Sequence, residues 1–192
     1  MRLANEDVHN KRVGSVRWTP RGPRQQAHDV PHVHLTRDCI DSMTVHLSED
    51  TTVERGGFLL GRLSTSRGRD TIKVDRYLPA HRAVGTATRL NIPPEDFFDA
   101  HDEMSDDPGV VMVGWAHSHP GLTVFLSQYD HFLWDSYFGH AHQLAIVIDP
   151  VAHDGAVFAR NKTTGGSQMV AVTEVGESDA ASILNWSGYR LR

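Results

Sequence analysis

Cysteine is almost absent from this sequence. Cys39 is the one copy in 192 residues, so no intrachain disulfide can form and the fold must rest on its core. Long apolar runs are missing too. No stretch approaches the ~18 consecutive apolar residues that cross a bilayer as a helix. The opening residues, MRLANEDVHN, contain no apolar segment of the kind a secretory signal needs. These absences lead us to expect a reducing, cytoplasmic setting without membrane contact. No internal repeat is evident, and the length suits one domain with a sizeable core.

Charge is modest in amount but unevenly placed. The net value is -5. Residues 1–37 carry seven Lys/Arg against three Asp/Glu, and the remainder carries twelve against twenty-one. The acidic body argues against nucleic acid as the principal substrate. Residues 1–31, rich in Arg, Pro, Gly and Gln, read as a basic N-terminal arm with a short strand near Val13–Trp18. Such an arm is either a solvated leader or a contact for an acidic partner or nucleic acid. The structured domain is expected over residues 32–192.

Hydrophobic periodicity organises that domain. The PHVHLT stretch predicts a first strand, and Cys39, Ile40, Met43 and Leu47 predict a helix over Asp38–Leu47. Gly56–Gly61 and Ile72–Leu78 predict a hairpin, and Thr86–Leu90 a further strand. Pro93-Pro94 opens an acidic helix to Met104, with proline tolerated in the first turn. Val110–Trp115 predicts a central strand. Ser127 is placed to cap a helix to Phe138. Leu144–Ile148 and Gly155–Arg160 predict strands, Gln168–Glu174 a last strand, and Asp179–Trp186 a terminal helix. The class is α/β, a mixed central sheet flanked by helices.

Histidine is the unusual component, with thirteen copies. Three H-x-H pairs occur: His32/His34, His117/His119 and His140/His142. On a strand, residues i and i+2 share a face, so each pair can aim two imidazoles at one point. The middle pair stands apart. It ends the central strand, and Pro120 stops the ladder there. Asp130 follows eleven residues after His119, in the first turn of the Ser127 helix. Two imidazoles and one carboxylate suit zinc, and three protein ligands leave the fourth position open, as in catalytic rather than structural sites. Glu54, just before a glycine-bounded buried strand, is costly there unless used. It can move a proton between water and a leaving amine. The Ser127 hydroxyl can cap its helix and also stabilise an oxyanion.

Glu54 with Gly57-Phe58-Leu59-Leu60-Gly61, then His117-Ser118-His119-Pro120, then Ser127-Gln128-Tyr129-Asp130, resembles the JAMM motif of the MPN-plus (JAB) metalloproteases over roughly residues 32–175. The resemblance implies the MPN (JAB) fold and one Zn2+ per chain on His117, His119 and Asp130. It also implies Glu54 as general acid/base and Ser127 as the oxyanion-stabilising hydroxyl. The implied activity is that of an isopeptidase, deubiquitinase-like, acting after the Gly-rich C-terminal tail of a ubiquitin-like protein. Processing of a sulfur-carrier protein or of an amino-acid adduct is the alternative. A third possibility, a non-catalytic metal-binding scaffold, conflicts with the complete motif. The compact form resembles bacterial members found beside ubiquitin-like conjugation systems, some of them antiviral. The Asp149–Gly155 connection is short and has no cysteine or histidine group for a second structural zinc, so the resemblance does not extend to linkage-specific chain cleavage.

The resemblance also makes Leu78–Ile92 an insertion lining the groove for the substrate tail; otherwise it is an ordinary connector. Cys39 reads as a core thiol rather than a nucleophile. Trp115 reads as packing that stiffens the site. Trp134, Tyr137 and Phe138 read as core or interface. The acidic run Glu95–Asp107 reads as a solvated helix face.

Overall fold

The computed structural model describes residues 29–105, 107–175 and 181–186. The predicted strand at Val13–Trp18, and all of the arm before Asp29, lie outside the described residues. Asp29 itself is tied to the body: its carbonyl accepts from Lys162 N at 2.9 Å and its carboxylate from Thr163 Oγ1 at 3.0 Å.

Strand β1 (His32–Thr36) runs directly into helix α1 (Arg37–Ser48). The Thr36 hydroxyl accepts from Cys39 N, and Asp38 sits in the positively polarised first turn. The predicted face of Cys39, Ile40, Met43 and Leu47 is buried. Burial, with a smaller push from Asp75, raises the Cys39 thiol to about 12, so it stays protonated and inert.

β2 (Gly56–Ser66) and β3 (Arg69–Pro79) form the predicted hairpin. β4 (Val84–Thr86) and β5 (Arg89–Asn91) follow, then α2 (Pro94–Ser105), β6 (Val111–Ser118) and α3 (Gln128–Tyr137). The chain continues through β7 (Leu144–Asp149), β8 (Asp154–Arg160), β9 (Ser167–Val170), β10 (Val172–Val175) and β11 (Ala181–Ile183).

Nine strands make one mixed sheet in the order β11-β10-β1-β3-β2-β6-β7-β8-β9. β1 pairs in parallel with β3 and β10, and β6 with β7; the other pairs are antiparallel. β9 and β10 lie towards opposite ends of this order, yet only Ala171 separates them in sequence. The sheet must therefore curl until its two margins meet.

Three predicted elements need correction. Thr86–Leu90 is not one strand; it straddles the turn between β4 and β5, where Thr86 Oγ1 donates to the Arg89 carbonyl at 3.3 Å. Gln168–Glu174 is broken at Ala171, because its first half completes β8 and its second half completes β1. Asp179–Trp186 is not a helix within the described residues. Ala181–Ile183 instead covers the open edge of β10, and Leu184 N donates to the Val172 carbonyl at 3.0 Å. In both later cases an unpaired sheet edge outweighs local propensity.

Alternation along the strands divides the interior in two. Leu59, Val113, Leu144, Ile146 and Ile148 pack with α1 in one cluster. Phe58, Trp115, Ala145 and Val147 pack with Ala100 of α2 and with Leu133, Trp134 and Phe138 at α3 in the other. Each large side chain fully buried here contributes roughly 1.5–3 kcal/mol. Gly114, at φ +146°, lets β6 bulge: a Cβ there would lie 2.1 Å from the Leu144 carbonyl oxygen. The acidic run is not wholly solvated. Asp96 of α2 is buried, accepting from Arg82 N and pairing with its guanidinium at 3.3 Å, which anchors the segment leading to β4.

Candidate metal centre

Trp115, His117 and His119 alternate onto the α3 side of the sheet. The Trp115 ring is stacked on His117 at 4.3 Å and 7° and backed by Phe138 at 5.6 Å. This stack fixes the plane of the His117 imidazole, the stiffening role predicted for Trp115. His119 N donates to the Ile148 carbonyl at 2.8 Å, extending the β6–β7 ladder past Ser118.

Asp130 arrives from the other direction. Ser127 caps α3 by accepting from Asp130 N at 3.1 Å, and Asp130 Oδ2 accepts from Ser127 N at 2.7 Å. This reciprocal capping box sets the carboxylate facing the two histidines. Glu54 is held by its backbone. Its N–H donates to the Thr86 carbonyl at 2.8 Å, and the next residue, Arg55, exchanges two bonds with Ser118.

His117 Nε2 and His119 Nε2 lie 3.1 Å apart. Asp130 Oδ1 is 3.3 Å from the former, and Oδ2 is 3.4 Å from the latter. Donors around a tetrahedral zinc with bonds of ~2.0–2.1 Å stand ~3.3–3.4 Å from one another. The three residues therefore fit the ion in chemistry and in spacing. All are buried, and among the described residues they form the one cluster of three such ligands. Among the described residues the other two H-x-H pairs gather no third ligand; His140 and His142 stack on each other at 5.4 Å. Glu54 Oε1 stands 3.6 Å from His119 Nε2, beside the cluster rather than within it.

The electrostatics separate the roles. Burial pushes the Glu54 carboxyl up to about 7, reinforced by Asp130 and opposed by His119. Burial also lowers His117, against the pull of Asp130, which leaves an imidazole lone pair free for a metal. His119 and Asp130 go the other way. Although burial opposes both charges, their mutual contact raises the histidine and lowers the carboxylate, helped at Asp130 by His117.

A groove of about 560 Å³ opens beside the cluster, lined by Thr86, Thr88, Arg89, Phe125, Ser127 and Tyr129 among others. The predicted insertion thus places its β4–β5 turn on the groove. Arg89 lies over the Tyr129 ring at 4.7 Å and joins the hairpin to α3.

A family model described as prokaryotic homologs of the JAB domain matches residues 36–161, a span holding all five residues of the constellation. The chain belongs to this family. COP9 signalosome complex subunit 5 of Candida albicans is 33% identical over 118 residues, which cover 57% of this chain and 18% of that protein. Subunit 5a of Arabidopsis thaliana is 31% identical over 126 residues, 62% of this chain and 33% of that one. The JAB-family chain thus spans about a fifth to a third of the length of these relatives. The solution structure of a protein from Desulfitobacterium hafniense matches with a TM-score of 0.60 over 76% of this chain and 94% of that one. At 21% identity that likeness is one of fold.

Two site residues escape a reading of spacing alone. Ser118 points away from the histidines, and its hydroxyl accepts from Arg55 N at 2.9 Å, locking the Glu54 segment to β6. Gly85 approaches so closely that a Cβ would lie 1.8 Å from the Glu54 carbonyl oxygen. The serine inside H-S-H was visible in the sequence; its partner across the sheet was not.

Proposed function

We propose that this JAB-family chain is a zinc-dependent peptidase or isopeptidase that cuts after the C-terminal tail of a ubiquitin-like protein. The observation that carries the reading is the gathering of His117, His119, Asp130, Glu54 and the Ser127 cap at one buried point beside an open groove.

Zinc held by His117, His119 and Asp130 would polarise the scissile carbonyl and make water acidic enough to attack near neutral pH. Glu54 Oε1 takes the proton of the attacking water and delivers it to the leaving amine. Burial raises this carboxyl in the metal-free chain, a push that the cation would partly offset, leaving a group able to take and return a proton. The Ser127 hydroxyl donates to the oxygen on which negative charge develops. Trp115 and Phe138 wall the site on the core side.

The groove supports a tail as substrate. β4 and β5 form a two-stranded sheet of their own, so an extended peptide can add to the hairpin by strand pairing. With Arg89 fixed on Tyr129, the passage suits small residues beside the scissile bond, hence a Gly-rich tail.

The test is a ubiquitin-like protein ending in Gly-Gly, fused through that tail to a reporter. Intact-mass analysis should show one cut after the last glycine, stopped by a chelator. Hydrolysis of the corresponding modifier–cysteine adduct alone would favour the sulfur-carrier alternative. Failure to cut either would contradict the proposal. Ser127→Ala should keep its metal, because Ser127 N still donates to Asp130 Oδ2; it should lose roughly 10²–10³-fold in kcat and about 1 kcal/mol of stability with the cap.

A further inference from the structure

The segment between His119 and Ser127 carries backbone strain. Gly121 and Thr123 both adopt positive φ, +72° and +73°. For a β-branched residue that conformation is a true outlier and persists only where its surroundings impose it. The imposing group is Asp149, at the end of β7. Its buried carboxylate accepts from Gly121 N at 2.9 Å and from Thr123 N at 3.0 Å. It also accepts from Val151 N and Ala152 N, both at 3.0 Å, in its own turn. Burial alone would raise this carboxyl, but the four backbone donors hold it below the usual range, so it stays ionised.

The same loop touches the metal cluster. The Phe125 ring packs on His119 at 4.9 Å. Leu122 N donates to the His119 carbonyl at 3.1 Å, tying the loop to the backbone of the same histidine. Outer-shell groups of this kind orient ligating histidines. The loop also ends on Ser127, whose cap sets Asp130.

The geometry points to Asp149 as a positioning residue: by clamping Gly121 and Thr123 it holds the loop that orients His119 and delivers Ser127 and Asp130. No contact with substrate is involved. This inference rests on reading His117, His119 and Asp130 as metal ligands.

Cobalt(II) titration of the metal-free full chain, followed by its visible absorption, tests the clamp. Asp149→Asn keeps the shape but puts an amide against the donors. Asp149→Ser is the milder variant: its hydroxyl can still cap the 149–152 turn but is too short to span to Gly121 and Thr123. Asn161→Ala is the control. Asn161 is also buried and also caps a turn, accepting from Thr163 N and Thr164 N at 2.9 Å, but that turn does not join the metal cluster. Both Asp149 variants should weaken cobalt binding by ~10–100-fold and alter the absorption bands. Asn161→Ala should melt earlier yet keep the parent's affinity and bands. Should Asp149→Asn fail to fold, Asp149→Ser alone decides. An Asp149→Ser chain with the parent's affinity and spectrum would overturn the inference, as would an equal loss in Asn161→Ala. A parent chain that takes up no cobalt would overturn the ligand reading and this inference with it.

Discussion

Replacing Glu54 with Gln should leave the metal bound and reduce kcat by a factor on the order of 10²–10⁴. The amide keeps the shape of the side chain but can neither accept the proton of the attacking water nor pass it to the amine. The metal should remain, because Glu54 lies outside the three-ligand cluster. In the metal-loaded parent the nearby cation should draw the Glu54 carboxyl below its metal-free value of about 7, so activity should rise with pH on an acid limb lying below 7. Stability should move the opposite way in the metal-free protein. Because the folded-state pKa is raised, the protonated carboxyl is favoured on folding. That contribution is complete below the unfolded value of ~4.3 and lost as pH rises through about 7. Glu54→Gln should therefore melt above the parent at pH 8 and level with it at pH 4. Thermal melts at the two pH values, beside steady-state rates, check both halves. A variant with full turnover would remove Glu54 from its role.

The second large effect concerns the ligands. A metal that binds only the folded chain stabilises it by mass action, about 4 kcal/mol at a thousandfold excess over Kd. For a domain of this size that corresponds to a rise in Tm of roughly 8–16 °C. The parent should show such a rise when zinc is restored after chelation. His119→Ala should show almost none and should not hydrolyse substrate; its metal-free Tm should itself fall below that of the metal-free parent, because a buried imidazole paired with Asp130 is lost, so the zinc-induced shifts are what is compared. His119 is chosen over Asp130 because Asp130 also closes the α3 capping box. Its loss would confound a missing ligand with a missing cap worth ~0.5–2 kcal/mol. Equal zinc-induced shifts in the parent and His119→Ala would place the ion elsewhere.

Much of this site was legible because it is built from short-range rules. The period of two puts Trp115, His117 and His119 on one face, Pro120 ends the strand, and a serine three residues before an aspartate makes a cap. The structure joins these local pieces without revising them. Glu54 was different: it lies far from His117 in sequence, and no spacing rule brings the two together. Family resemblance supplied that link, and the Arg55–Ser118 bonds supply its physical basis. The elements that were misread sit at the sheet margins. Gln168–Glu174 looks like a single strand because Met169 to Thr173 runs through apolar and β-branched residues with no Gly, Pro or Asn to mark a break. Only the curl of the sheet, a property of all nine strands, makes Ala171 a crossing point. Asp149 stands in the sequence directly after the predicted strand Leu144–Ile148. Its hold on Gly121 and Thr123 depends on the parallel pairing of β6 and β7, which sequence does not display.

We propose that His117, His119 and Asp130 hold one catalytic zinc. Elemental analysis of the purified chain after zinc reconstitution and desalting tests it most directly, with His119→Ala measured alongside. About one zinc per chain is expected in the parent and essentially none in the variant. A parent without zinc, or a variant that retains it in full, would rule out these three residues as its ligands.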